Sequence, residues 1–107
     1  MSTTPPPPPG PAGRPPPLFV LFYESADDVA GRAPPHFSAH RARLAEFHDR
    51  GELVLVGTFA DPQADGAMSV FRSREATEEF AAGDPFVLNG VVRAWRVLEW
   101  PQVFPLP

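Results

Sequence analysis

A single four-stranded α+β domain, with two helices on one face of an antiparallel sheet, is what the sequence predicts, and three observations carry that prediction. Four short apolar runs rich in β-branched and aromatic residues alternate with two helix-length segments in the order βαββαβ. At 107 residues there is room for one such domain and no second. The chain contains no cysteine, so disulfides and thiolate metal sites are excluded and stability must come from core packing.

The elements follow in chain order. Met1 to Pro17 (MSTTPPPPPGPAGRPPP) holds more than half of the 16 prolines and no large apolar residue beyond the initiator Met. It cannot repay the entropy of ordering, so it is expected to be a disordered, locally polyproline II segment, leaving residues 18–107 as the domain. Such segments can dock on aromatic grooves of other proteins, but an unselected leader is the plainer reading. Leu18 to Tyr23 (LFVLFY) is an uninterrupted strand-length apolar run that stops at the polar ESADD stretch. Pro34 and Pro35 suit the first turn of a helix, and HFSAHRARLAEFHDR continues it to Gly51, a residue type common just past a helix end. Leu53 to Val56 and Ala67 to Phe71 flank a loop with Asp-Pro and Asp-Gly and read as a hairpin. Ser73 is a plausible N-cap for REATEEFAA, with Glu75 in the first turn and Gly83 at the stop. Val91 to Trp100 alternates as the last strand.

The order βαββαβ is the split βαβ, or ferredoxin-like, arrangement. Two helices cover one face of four strands. Strands one and two are apolar on both faces, which would leave a greasy surface larger than monomers expose, so something must cover it. A second copy of the same sheet, related by a two-fold axis, is the simplest cover, and a sheet-stacked homodimer is expected. Val103, Phe104 and Leu106 in the C-terminal PQVFPLP could pack across that interface or along their own subunit.

Net charge −4 and the absence of any basic run interleaved with aromatics argue against nucleic acid as a partner. No apolar stretch approaches the roughly 18 residues of a membrane span, and no signal peptide is evident. A soluble cytoplasmic protein is expected.

The three histidines of the first helix separate by phase. Counting His36 as zero at about 100° per residue, Phe47, His40, Leu44 and Phe37 fall at roughly 20°, 40°, 80° and 100°. His40 therefore lies in the apolar stripe, while His36 and His48 mark its borders and Ser38, Ala42, Glu46 and Asp49 the far side. A buried imidazole must find a hydrogen-bond partner. A backbone carbonyl would make His40 a core histidine. A carboxylate would make it one half of an acid/base pair, and Asp84 in GDPF, held at a turn by Pro85, is the candidate on the same side of the sheet. Asp84 has a plainer role open to it as well, capping the backbone of Phe86 to Asn89. His36 and His40 have the i, i+4 spacing of helical zinc ligands, but without a following Glu or a third ligand no metal site is expected. No cysteine, elbow serine or phosphate-cradling glycine loop is present, so neither covalent catalysis nor a nucleotide cofactor is expected.

HRARLAEFHDRG, LVLVG and SREATEEFAAGDPFVLNGVV together resemble the YCII-related, or YciI-like, proteins over nearly all of Leu18 to Trp100. The most specific pieces are His40, eleven residues before Gly51, and Asp84-Pro85-Phe86 after the second helix. The resemblance implies a dimeric α+β barrel made by stacked sheets and an active site on the family's shared His and Asp, here His40 and Asp84. Many members carry Arg three residues before the His, where this chain has Phe37, so an anion-binding role does not transfer; Arg41 or Arg32 are the available substitutes. One branch of the family looks like a dehydrochlorinase of chlorinated hydroxyquinols, and the wider superfamily includes muconolactone isomerases and cofactor-free monooxygenases. The expectation is thus an enzyme of lyase or isomerase type, without metal or cofactor, in which His40 moves a proton on a small cyclic or aromatic-derived compound and Asp84 orients it. Phe37, Phe47 and Phe86 are the expected pocket walls. The alternatives are a non-catalytic dimeric module that binds a small ligand or partner, and a structural role in which the Pro-rich segment recruits a partner.

Overall fold

A computed structural model describes residues 15–104. The polyproline II expectation for the N-terminal segment lies outside the described residues up to position 14, as does Leu106 at the other end. Ten elements follow one another: β1 (Leu18–Ser25), α1 (Val29–Arg32), a 3₁₀ turn (Pro34–His36), α2 (Phe37–Asp49), β2 (Leu53–Thr58), α3 (Pro62–Asp65), β3 (Ala67–Phe71), α4 (Arg74–Gly83), α5 (Pro85–Leu88) and β4 (Val92–Trp100). The long ones, taken alone, read βαββαβ as expected. The sheet is antiparallel throughout, ordered β2-β3-β1-β4, so each helix crossover spans one intervening strand.

Two departures from the expected boundaries have physical causes. β1 continues through Glu24 and Ser25 because they keep pairing with Ala94 and Val92 of β4 across a bulge, and pairing outweighs their polarity. The Asp61-Pro62 segment becomes α3, capped by the Asp61 carboxylate accepting from Ala64 N at 3.2 Å. Gly66 then enters β3 at φ 74°, so close to β1 that a Cβ there would overlap the Tyr23 carbonyl. Ser73 caps α4 as expected, its hydroxyl accepting from Ala76 N at 3.1 Å.

Register divides the sheet's two faces. Phe71, Ser69 and Ala67 of β3 stand opposite Phe19, Leu21 and Tyr23 of β1, on the side covered by α2 and α4. Leu21, Phe47, Leu53, Phe71, Phe80 and two alanines of α4 form the buried core there. Phe47, Phe71 and Phe80 meet with centroids 5.2 to 6.3 Å apart. Three such contacts, at about 0.5 to 1.5 kcal/mol each beyond area burial, fix how the helices sit on the sheet.

The other face bears no helix. Val20 and Val70 are buried at its centre, but Leu98, Trp100 and Leu55 around them are 45, 51 and 56 % exposed. Arg96 lies over the Phe22 ring on this face, 4.7 Å from its centroid. Phe104 follows in the C-terminal segment, 82 % exposed. Among the described residues, no helix is long and apolar enough to cross a membrane.

Candidate active site

α2 and α4 run side by side over the sheet, and the site forms where the start of α2 meets the end of α4. Arg43 fastens the two: its guanidinium donates to the carbonyl oxygens of Phe80 at 3.1 Å and Glu79 at 2.7 Å, in the last turns of α4. Cationic donors suit carbonyls near the C-terminal end of a helix. α4 stops at Gly83, and Asp84 turns to an extended backbone, φ −68° and ψ 127°, so that Pro85 can open α5.

Asp84 is wholly buried, and three donors converge on its carboxylate. Oδ1 accepts from His40 Nδ1 at 2.8 Å and from Phe86 N at 3.1 Å; Oδ2 accepts from the Tyr23 hydroxyl at 2.6 Å. The capping and the carboxylate-imidazole possibilities open in the sequence are therefore both realised by one side chain. A carboxylate can only accept, so facing Asp84 in that form Nδ1 of His40 carries the proton the two share. Burial, reinforced by the adjacent Asp84 charge and the hydrogen bond to it, pushes the Tyr23 hydroxyl far above its ordinary range, so Tyr23 is a donor at any physiological pH.

His40 itself is 14 % exposed at the side chain. One face of its ring is covered by Phe86, stacked with centroids 3.8 Å apart and planes within 9°; Phe80 meets it edge-on at 6.3 Å. Nε2 has no hydrogen-bond partner among the described residues. Since no buried side-chain nitrogen or oxygen there lacks a partner, Nε2 keeps some exposure, and His40 lines a pocket. That pocket measures about 220 Å³. Leu44 and His40 of α2, Phe80 of α4 and Phe86 of α5 form its roof; Leu21 and Tyr23 of β1, with Val56, Thr58, Ala67 and Ser69 of the hairpin strands, form its floor. The arrangement sets an imidazole held by a buried carboxylate beside an apolar chamber with few polar groups.

Of the expected pocket walls, only Phe86 is one. Phe47 lies seven residues after His40, about 10 Å further along the helix axis, and so falls in the core at 0 % exposure. Phe37, the first residue of α2, is 49 % exposed and leans on Phe86 from outside, 6.0 Å between centroids. Arg32 and Arg41 do not replace the arginine absent at Phe37: both are exposed and neither lines the pocket. Among the described residues no three His, Cys, Asp or Glu side chains gather as a metal site. Sequence reasoning missed Tyr23, Ser69 and Arg43. Tyr23 gave a signal in principle, since a phenol inside an apolar strand needs a partner for its hydroxyl.

Comparison with known proteins agrees with the fold. Residues 18–101 match the model of the YCII-related domain. The chain is 31% identical over 97 residues to Protein YciI of Escherichia coli O6:H1 and to that of Shigella flexneri, covering 81% of this chain and 99% of each relative. Among solved structures, it superposes on the 5-chloro-2-hydroxyhydroquinone dehydrochlorinase of Burkholderia phenoliruptrix AC1100, in complex with 2,5-dihydroxybenzoquinone, with a TM-score of 0.66. That match covers 84% of this chain and 99% of the other at 18% identity, a likeness of fold.

Proposed function

Since the chain belongs to the YCII-related domain family, we propose that it is a small enzyme of lyase or isomerase type, working without metal or cofactor, in which His40 and Asp84 transfer a proton on a cyclic or aromatic-derived compound. The observation that carries this reading is the 2.8 Å bond from His40 Nδ1 to a wholly buried Asp84, with Nε2 left some exposure on a residue that lines the pocket. Nε2 takes a proton from the substrate, and the electron pair of the broken bond moves into the ring. The imidazolium, its charge balanced by Asp84, then returns the proton at another carbon for an isomerisation or to a departing group for an elimination. The dehydrochlorinase of like fold acts on a chlorinated ring of this kind, which is why ring compounds are the class to try first.

Solvent deuterium incorporation tests the reading without a known substrate. Small phenols and cyclic enones, resorcinol among them, are incubated in heavy water with the protein. Exchange at ring carbons is expected, with a fall of at least about 100-fold in His40→Gln. Exchange equally fast in His40→Gln, or none with any compound, would overturn it.

A second reading is a non-catalytic binding module, and one observation favours it: each Asp84 bond also serves the fold, by capping α5, holding Tyr23 or anchoring α2. Ring compounds binding without exchange would select that reading. Both readings include a homodimer stacked through the helix-free face, whose exposed Leu55, Leu98 and Trp100 a second copy would cover.

A further inference from the structure

The pocket beside His40 has a polar group that the acid/base reading leaves unused. Ser69 sits in the middle of β3, opposite Leu21 of β1 and Val56 of β2, and it lines the same pocket as His40. The residue is only 5 % exposed, yet its hydroxyl bonds to no described residue. Because no buried side-chain oxygen there lacks a partner, the little exposure Ser69 has includes its hydroxyl, on a residue that lines the pocket. A hydroxyl withdrawn this far from bulk water is costly unless something bonds it.

The charges around the pocket restrict what that something is. No arginine lines it, and the chain contains no lysine. The charge in contact with the site is the buried Asp84 carboxylate, which a protonated His40 only brings to neutrality; Arg43 lies behind the wall, felt at Tyr23, with its guanidinium engaged by the Phe80 and Glu79 carbonyls. An anionic ligand would leave water for a chamber with no arginine in its wall to pair with it, beside a carboxylate that repels it. Leu21, Leu44, Val56 and Phe80 leave the rest of the wall apolar. The volume of about 220 Å³ compares with the cavity of about 150 Å³ that holds benzene in an engineered protein core.

We infer that the site takes a small uncharged ring compound bearing an oxygen substituent, with Ser69 as the specificity-determining residue that hydrogen-bonds the oxygen while Nε2 of His40 meets the proton to be moved. The inference rests on the reading of His40 as the base of this pocket and adds to it the charge of the substrate and the group that anchors it.

Hydroquinone, 2,5-dihydroxybenzoate and fluorobenzene separate the possibilities, with binding to the full chain followed by NMR shift changes around the pocket. Hydroquinone is expected to bind at least about tenfold more tightly than 2,5-dihydroxybenzoate, the same ring with a carboxylate added. Ser69→Ala is expected to weaken hydroquinone about tenfold and leave fluorobenzene, which has no oxygen, unchanged. Equal or tighter binding of the carboxylate overturns the inference, as does no binding of hydroquinone. Ser69→Ala also overturns it if hydroquinone binding is unaltered, or if both uncharged rings weaken alike. These outcomes are independent of the proton-transfer reading, which fails separately if His40→Gln exchanges deuterium as fast as the native protein while hydroquinone binding is intact.

Discussion

His40 and Phe86 lie face to face, 3.8 Å between ring centroids and 9° from parallel, so the imidazole is held in plane by a stack as well as by its bond to Asp84. Two constraints at right angles to each other leave the ring one orientation. Phe86→Leu keeps apolar bulk but loses the stack, worth about 0.5 to 1.5 kcal/mol. Deuterium exchange is expected to fall several-fold while hydroquinone binding changes less. Unchanged exchange would mean that Asp84 alone orients the ring.

Asp84 joins three elements, and its loss is felt as stability. Asp84→Ala removes the cap of α5, worth about 0.5 to 2 kcal/mol, and strands the buried Tyr23 hydroxyl at about 1 to 3 kcal/mol. Urea unfolding is expected to give a loss of roughly 2 to 4 kcal/mol. A loss below about 0.5 kcal/mol would contradict the geometry.

Tyr23 makes stability pH-dependent on the alkaline side. Its hydroxyl ionises above its ordinary value of 10.0 in the fold but near that value in the unfolded chain. The unfolded state thus holds fewer protons above about pH 10, and stability falls as pH rises there, by up to about 1.4 kcal/mol per pH unit. Below that pH the contribution is fully present. Tyr23 is the chain's only tyrosine, and there is no lysine or cysteine to confuse the titration. Unfolding free energies between about pH 8 and pH 11 should show this fall, and Tyr23→Phe should abolish it. An equal fall in Tyr23→Phe would mean that another group is responsible.

The helix-free face predicts association. Sedimentation at micromolar concentration is expected to give a dimer, and Leu98→Glu, which puts a charge at a 45 % exposed position of that face, is expected to give a folded monomer. A monomeric native protein would remove the sheet-stacked assembly from the account.

The order of the long elements was legible because each carried its own period and its own stop: Ser73 and Gly83 bound α4, and Gly51 follows α2 at φ 79°. His40 was legible from helical phase, and Asp84 from its turn together with the family resemblance. Phe47 was misplaced as a pocket wall because phase gives direction around a helix and not distance along it. Tyr23 and Ser69 were missed for a related reason. β1 is apolar on both sides, so alternation did not say which side faces the helices, and only the register with β3 does. Arg43 was invisible because its partners are backbone carbonyls of another helix.

The central claim is that Asp84 holds the proton on Nδ1 of His40 and leaves Nε2 as the base. Long-range proton–nitrogen NMR of the ¹⁵N-labelled native protein reads this directly, because protonated and unprotonated ring nitrogens resonate far apart. In neutral His40, the account predicts a protonated Nδ1 and an unprotonated Nε2 whose signal moves when hydroquinone is added. A neutral His40 with its proton on Nε2 would contradict it.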